Sequence, residues 1–208
     1  ARRFTPDTPV DSASLAKPVT ATAVLSLARQ GAIDLDRPVR SYLPEYPFAD
    51  GSVRHLLAHS AGLDEKAVGA ITGKINAGLL ADYARSRAPL LFAPGSAFDY
   101  CNLCYSTLAL LIERVTRRSY LEVVRERAAL PVRVTLRPRW LAEWQGRAIG
   151  HFRDSDGALK RADSYDDEAF YGSANFSISA AQRAEWGARW WTPELAPVRA
   201  EATMSAVI

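Results

Sequence analysis

The sequence predicts an α+β chain that is mainly helical and carries a small amount of antiparallel sheet. Apolar residues recur at helical spacing in several segments, and residues 146–162 alternate like a β-hairpin around a turn. The chain has 208 residues, 48% hydrophobic and 24% charged. These proportions are typical of a globular protein and exclude disorder or a fibrous repeat.

The first helix is expected over residues 14–29, preceded by an extended lead-in over residues 1–13. Two later helices begin at capping-box spacings, Ser119 with Glu122 and Ser179 with Gln182. Residues 32–52 contain three prolines and are expected to be irregular. The other predicted helices cover residues 53–59, about 76–87 and 101–117; those with capping boxes cover 119 to about 130 and 179 to about 191.

The charge pattern argues against nucleic acid as a partner. The net charge is +3 and the pI about 9.0, but the basic residues are scattered among nearly as many acids. The densest basic stretch, residues 117–127, is interrupted by Glu122 and Glu126, which is typical of a solvated helix face. No apolar run approaches the roughly 20 residues of a membrane span. We therefore expect neither a nucleic-acid partner nor a membrane span.

The two cysteines, Cys101 and Cys104, form a C-x-x-C sequence. They could be a redox pair or half of a metal site, or simply two small, buried helix residues. We favour the second interpretation because no other cysteine pair exists and the three histidines lie far away in sequence. For His59 we favour a buried, hydrogen-bonded structural role over that of a metal ligand or base.

Two short motifs could carry chemistry. In Ser14-Leu-Ala-Lys17, a spacing of three places both side chains on one face at a helix start. A serine hydroxyl becomes a nucleophile when a base takes its proton, and a lysine kept neutral by burial or nearby charge can do so. In Tyr100-Cys-Asn102, the phenol can move a proton and the amide can both donate and accept. Each motif alone is weak, since a capping serine, an exposed lysine, a buried tyrosine or a capping asparagine would explain it.

The two motifs in their sequence context resemble the class C β-lactamase-like serine hydrolases, a family of β-lactamases, penicillin-binding carboxypeptidases, D-aminopeptidases and esterases. Residues 11–21 look like the nucleophile helix of that family, and residues 53–63 (VRHLLAHSAGL) are similar to its HLL-H-SGL signature. Residues 98–105 match its Tyr-x-Asn box, and residues 171–181 resemble the stretch before a Leu-x-x-Trp helix.

The resemblance implies a β-lactamase or penicillin-binding transpeptidase-like α+β fold, and a role for each matching residue. Ser14 would be the acylated nucleophile, and its backbone N–H would be one oxyanion donor. Lys17 would activate Ser14, and Tyr100 would be the general base or proton relay. Asn102 would hydrogen-bond Lys17 and the substrate.

The third element of the family, a Lys-Thr-Gly or His-x-Gly triplet on a strand, does not occur in the 208 residues. The strand hairpin that precedes the nucleophile helix is also missing. We therefore expect one serine hydrolase domain over residues 1–208 that is incomplete at both ends, with an incomplete sheet. A complementary polypeptide could carry the missing strands.

Several residues remain as weaker candidates. Tyr165, Phe170 and Tyr171 could line the substrate cleft. The acids at residues 166–168 could suggest glycosidase chemistry, but a solvent-facing loop explains them better. Trp186 and Trp190 lie four apart and could form a sugar platform, although core packing is the favoured interpretation.

The sequence as a whole predicts a serine hydrolase that forms an acyl-enzyme on Ser14 without metal or cofactor. Its substrate would be a small ester, an amide or D-peptide, or a β-lactam, with an ester or peptide favoured. The alternative is a penicillin-binding-type module that recognises its ligand without turnover or with very slow turnover.

Overall fold

The computed structural model describes residues 3–66, 85, 88–128, 137–138, 148–161, 172–174 and 176–205. Helices dominate these residues, and the strands are two or three residues long, in agreement with the predicted α+β class. The α-helices are α1 (Lys17–Arg29), α2 (Val53–Leu57), α3 (Asn102–Thr116), α4 (Tyr120–Arg127), α5 (Ala180–Trp190) and α6 (Ala196–Ser205). The strands are β1 (Val10–Asp11), β2 (Arg137–Pro138), β3 (His151–Arg153), β4 (Leu159–Arg161) and β5 (Phe176–Ile178). The helix predicted over residues 76–87 lies outside the described residues, except for residue 85.

Helix α1 is the central helix of the core. Pro18 lies in its first turn, where no intrahelical N–H is needed, and Val19, Ala23 and Leu27 form the predicted apolar stripe, all of them buried. Helices α3, α4 and α6 pack against it. The predicted start of this helix at residue 14 differs in one detail. The turn before Lys17 is a 3-10 helix (Ala13–Ala16) rather than α-helix.

The predicted helix pair at residues 101–130 is confirmed as α3 and α4. Helix α3 ends where Arg117 adopts a left-handed conformation with φ of 55°, and the capping box of Ser119 and Glu122 starts α4. The Glu113 carboxylate accepts the Tyr120 N–H at 2.7 Å and so caps the same helix start. Short connections of this kind hold the two helices in contact.

The favoured interpretation of the cysteines needs a correction. Cys101 and Cys104 are both buried, as expected, but they are joined by a disulfide. Cys101 caps the N-terminus of α3 in an extended conformation, which brings the two Cα atoms to 5.3 Å. That separation lies within the usual range for a disulfide, and spacing alone could not distinguish it from two free thiols.

The sheets are small. Strands β1, β5 and β2 form one antiparallel sheet in that order, with Asp11 and Arg137 both opposite Ser177. Strands β3 and β4 form the predicted hairpin, and Asp154 stabilises its turn by accepting backbone N–H groups of Asp156 and Ala158. Strand β1 lies in the segment over residues 1–13, for which the sequence predicts only an extended lead-in. Its two residues are too few to show the period of two that indicates a strand.

The C-terminal helices complete the core. The capping box of Ser179 and Gln182 starts α5 as predicted. Trp186 is buried and its indole N–H donates to the Ala128 carbonyl at 3.0 Å, in agreement with core packing rather than a sugar platform. Helix α6 was not predicted. Among the described residues, no helix combines the length and apolar character needed to cross a membrane.

Candidate active site

The approach to Ser14 is a tight turn. Ala13 has a positive φ of 43°, a conformation that is costly for a residue other than glycine and that is frequently found at functional sites. The Asp11 carboxylate accepts the Ala13 N–H at 2.9 Å and so holds this turn. Ser14 follows as the second residue of the 3-10 helix and is exposed.

The 3-10 turn aligns Ser14 with Lys17, because side chains three residues apart eclipse each other in a 3-10 helix. The Lys17 Nζ donates to Ser14 Oγ at 3.1 Å. It also donates to Asn102 Oδ1 at 2.7 Å and to the Ser173 carbonyl at 3.0 Å. Lys17 is only 5% exposed, and an ammonium has three N–H donors. All three are therefore used inside the protein, which fixes the position of the amine.

Tyr100 makes a second contact with Ser14. Its hydroxyl donates to Ser14 Oγ at 2.8 Å, and the Lys17 Nζ lies 4.8 Å from the centre of its ring. Burial raises the pKa of Tyr100, but its polar interactions with Lys17 and Ser14 outweigh burial, so the pKa lies below its ordinary value. A larger fraction of Tyr100 than of an isolated tyrosine is therefore present as phenolate, the form that can accept a proton.

His59 holds the segment that carries Tyr100. Its ring stacks on the Tyr100 ring with centroids 4.6 Å apart, and its Nδ1 accepts the Cys101 N–H at 3.0 Å. Its carbonyl accepts the Asp99 N–H at 2.9 Å. Burial and the charge of Lys17 lower the pKa of His59 to about 4, so the ring is neutral near pH 7 and Nδ1 can accept. The hydrogen-bonded structural role predicted for His59 agrees with this geometry, although the side chain is half-buried rather than buried.

Asn102 is bound at both ends of its amide. Its Oδ1 accepts from Lys17, and its Nδ2 donates to Glu65 Oε2 at 3.3 Å. The other oxygen of Glu65 accepts the Leu103 N–H at 2.5 Å, at the start of α3. Nothing in the sequence singles out Glu65, because neither its spacing nor its chemical type distinguishes it from other surface acids.

The structure brings together all four residues that the motifs selected: Ser14, Lys17, Tyr100 and Asn102. The three weaker candidates, Tyr165, Phe170 and Tyr171, lie outside the described residues, as do the acids at 166–168. The site also contains two groups that the sequence analysis missed, Glu65 and the Ser173 carbonyl. A backbone carbonyl leaves no trace in a sequence pattern, so only the fold could reveal the second of these.

Comparison with known proteins identifies the family of the chain. The sequence profile described as Beta-lactamase matches residues 1–205. The chain therefore belongs to the β-lactamase family. This agrees with the resemblance of its sequence motifs to the class C β-lactamase-like serine hydrolases.

The chain is similar to several individual bacterial proteins. Esterase EstB of Burkholderia gladioli is 35% identical over 146 residues, which are 61% of this chain and 37% of the esterase. Protein flp of Staphylococcus aureus strain N315 is 30% identical over 143 residues, which are 64% of this chain and 28% of that protein. The chain thus matches well under half the length of these two relatives.

Two solved structures share the fold of this chain. FmtA from Staphylococcus aureus superposes with a TM-score of 0.78 at 20% identity, over 93% of this chain and 55% of that one. The D-amino acid amidase from Ochrobactrum anthropi superposes with a TM-score of 0.75 at 18% identity, over 88% and 57%. At these identities the likeness concerns the fold, which is the predicted penicillin-binding-protein-like α+β class.

Proposed function

We propose that this protein is a serine hydrolase that forms an acyl-enzyme on Ser14. One observation carries the proposal: Ser14 Oγ accepts hydrogen bonds from both Lys17 Nζ and Tyr100 OH, at 3.1 and 2.8 Å. An exposed hydroxyl between two groups that can exchange its proton is the arrangement that an activated serine nucleophile needs. Membership of the family and 35% identity to an esterase support the same class.

The proposed reaction has two steps. In the first, Tyr100 takes the proton of Ser14, Oγ bonds to the substrate carbonyl carbon, and the proton passes to the departing alcohol or amine as its bond to that carbon breaks. In the second, Tyr100 takes a proton from water, the water oxygen bonds to the acyl carbon, and the bond from that carbon to Oγ breaks as Tyr100 returns the proton to Ser14. The positive charge of Lys17, 4.8 Å from the Tyr100 ring, would stabilise the phenolate in both steps. We propose a small ester or an amide or D-peptide as substrate, in preference to a β-lactam.

A fluorophosphonate probe tests whether Ser14 is the nucleophile. We expect a stoichiometric mass increase on the peptide that contains Ser14, and none in Ser14→Ala. Ser12→Ala is the matched control, because Ser12 precedes the same turn but is buried with its hydroxyl directed to the Ala13 carbonyl. Absence of labelling in a folded protein, or labelling that persists in Ser14→Ala, would contradict the proposal.

We also propose that the third element of the site comes from polypeptide outside this sequence, because no Lys-Thr-Gly or His-x-Gly triplet occurs in it. That element would provide a second oxyanion donor, and loss of one such donor costs about 10²–10³ in kcat. The chain alone should therefore hydrolyse p-nitrophenyl butyrate far more slowly than the kcat of about 1–10³ s⁻¹ that is common for enzymes.

Turnover also separates the enzyme from the alternative, a penicillin-binding-type module. A burst of one p-nitrophenol per chain followed by slow turnover would fit an acylated but incomplete site. A burst with no later turnover, even after the missing region of a relative is added, would favour the slow binding module. Ordinary turnover by the chain alone would rule out any need for a complementary polypeptide.

A further inference from the structure

We propose that Glu65 is a positioning residue that determines which way the Asn102 amide faces, and thereby keeps an oxygen in front of Lys17. This inference rests on the proposed role of Ser14 and Lys17, because its consequence is a change in the reactivity of Ser14. Glu65 lies eight residues beyond the end of α2 and is brought to the start of α3 only by the fold.

The contacts of Glu65 leave Asn102 a single orientation. An ionised carboxylate can only accept hydrogen bonds, whereas an amide has one accepting end and one donating end. Glu65 Oε2 faces the amide at 3.3 Å, so this end must be the Nδ2 donor. The opposite end must then be Oδ1, which accepts from Lys17 Nζ at 2.7 Å. A reversed amide would place donor against donor at Lys17 and leave its oxygen facing the carboxylate.

Helix capping alone does not explain both contacts of Glu65. One oxygen satisfies the Leu103 N–H near the start of α3, where a negative charge is favourable. Glu113 does the same for the Tyr120 N–H at the start of α4. In Glu65 the second oxygen is directed at the amide that contacts Lys17. The backbone contact fixes the carboxylate in place, so its second oxygen can specify the neighbouring side chain.

Replacement by glutamine tests this arrangement sharply. The amide of Glu65→Gln has a single oxygen, and if that oxygen keeps the Leu103 N–H, its NH₂ group faces the NH₂ group of Asn102. Reversal of Asn102 would relieve this conflict but would direct its NH₂ group at Lys17. Reversal removes an acceptor of Lys17, and without reversal the Nδ2 group of Asn102 faces another donor and no longer holds Oδ1 in front of Lys17. Glu113→Gln is the matched control, because a single oxygen is sufficient for the Tyr120 N–H.

The kinetic readout is the second-order rate of Ser14 labelling by the fluorophosphonate probe. We expect at least a tenfold lower rate in Glu65→Gln and a change of less than twofold in Glu113→Gln. The thermal midpoints of both variants should stay close to that of the parent protein. Equal labelling rates in Glu65→Gln and the parent would overturn the inference.

A second readout does not depend on reactivity. The chain has three asparagines, so selective ¹⁵N-asparagine labelling yields three side-chain amide pairs, and Asn102→Ala assigns the pair of interest. We expect that pair to shift in Glu65→Gln and to stay in place in Glu113→Gln. If the Asn102 amide signals do not shift in Glu65→Gln, the positioning role is refuted, even in a protein whose Ser14 does not react. A shifted pair in a protein whose Ser14 does not react would support positioning and contradict the hydrolase instead.

Discussion

At the scale of single residues, Tyr100 combines two opposing influences. Its hydroxyl is close to Lys17 and Ser14, while the ring of His59 covers one face of its own ring. Burial raises the pKa of Tyr100 and the polar contacts lower it, with a net decrease. The phenolate that the proposed mechanism needs is therefore more accessible than in an isolated tyrosine.

This shift predicts the pH dependence of Ser14 labelling. Below the Tyr100 pKa the phenol is protonated and cannot accept the serine proton, so the labelling rate should rise with pH and level off above that pKa. The midpoint should lie below the ordinary tyrosine value of 10.0. The check is the rate of fluorophosphonate labelling across pH in the parent and in Tyr100→Phe, which lacks the acid–base group. The same profile in both proteins would assign the titration to another group.

At the scale of elements, a buried hydroxyl joins α1 to its neighbours. The Thr20 Oγ1 lies 2.6 Å from both the Tyr120 hydroxyl at the start of α4 and the Gly172 carbonyl. Gly172 precedes Ser173, whose carbonyl accepts from Lys17. Gly172 has a φ of 85°, and a Cβ there would lie 2.5 Å from the Tyr105 carbonyl oxygen, so only glycine fits so close to α3. Thr20 thus helps to place one of the acceptors of Lys17.

Thr20→Val tests this junction with little change of volume. The Gly172 carbonyl would lose the Thr20 donor in a buried setting, so we expect a cost of about 2 kcal/mol in the free energy of unfolding. Thr22→Val is the control, since Thr22 is equally buried but its hydroxyl bonds to the Pro18 carbonyl of the same helix, and it should cost less than about 1 kcal/mol. Urea denaturation measures both values. Equal costs would mean that the junction contributes nothing beyond an ordinary buried hydroxyl.

Helices and strands differ in how well the sequence predicts them. Helices α3, α4 and α5 were predicted because each has an apolar stripe and two have capping boxes, signals that lie within a dozen residues. Strands β1, β2 and β5 were not predicted, because each is two or three residues long and is stabilised by partners distant in sequence. The disulfide at Cys101 and Cys104 was missed for a related reason: the spacing is compatible with both thiols and a bond.

At the scale of the whole molecule, the described buried residues form a single core. The cluster extends from the start of α1 through α3 and α4 to Leu195 and Val198 near the C-terminus. Helix α6 packs directly against α1, the helix that begins at Lys17. Helix α6 therefore supports the helix that begins at Lys17, directly after the 3-10 turn that carries Ser14.

Val198→Ala tests whether this core unfolds as one unit. Loss of two buried methyl groups should lower the free energy of unfolding by about 2 kcal/mol. Because one core links the elements, tryptophan fluorescence and far-UV circular dichroism should shift together. Leu159→Ala is the control, since Leu159 is 64% exposed, and it should change stability by less than about 0.5 kcal/mol. Separate transitions by the two probes would indicate that α6 unfolds independently.

Local patterns in the sequence determined the helical character, the hairpin, and the four residues expected at the site. Each of these depends on contacts within a few positions, such as the three-residue spacing of Ser14 and Lys17. Only the tertiary structure decided that Tyr100 reaches Ser14 across 86 positions and that Ser173 reaches Lys17 across 156. The tertiary structure also brings Glu65 to Asn102. Such contacts are set by long-range packing and leave no periodic signal in the sequence.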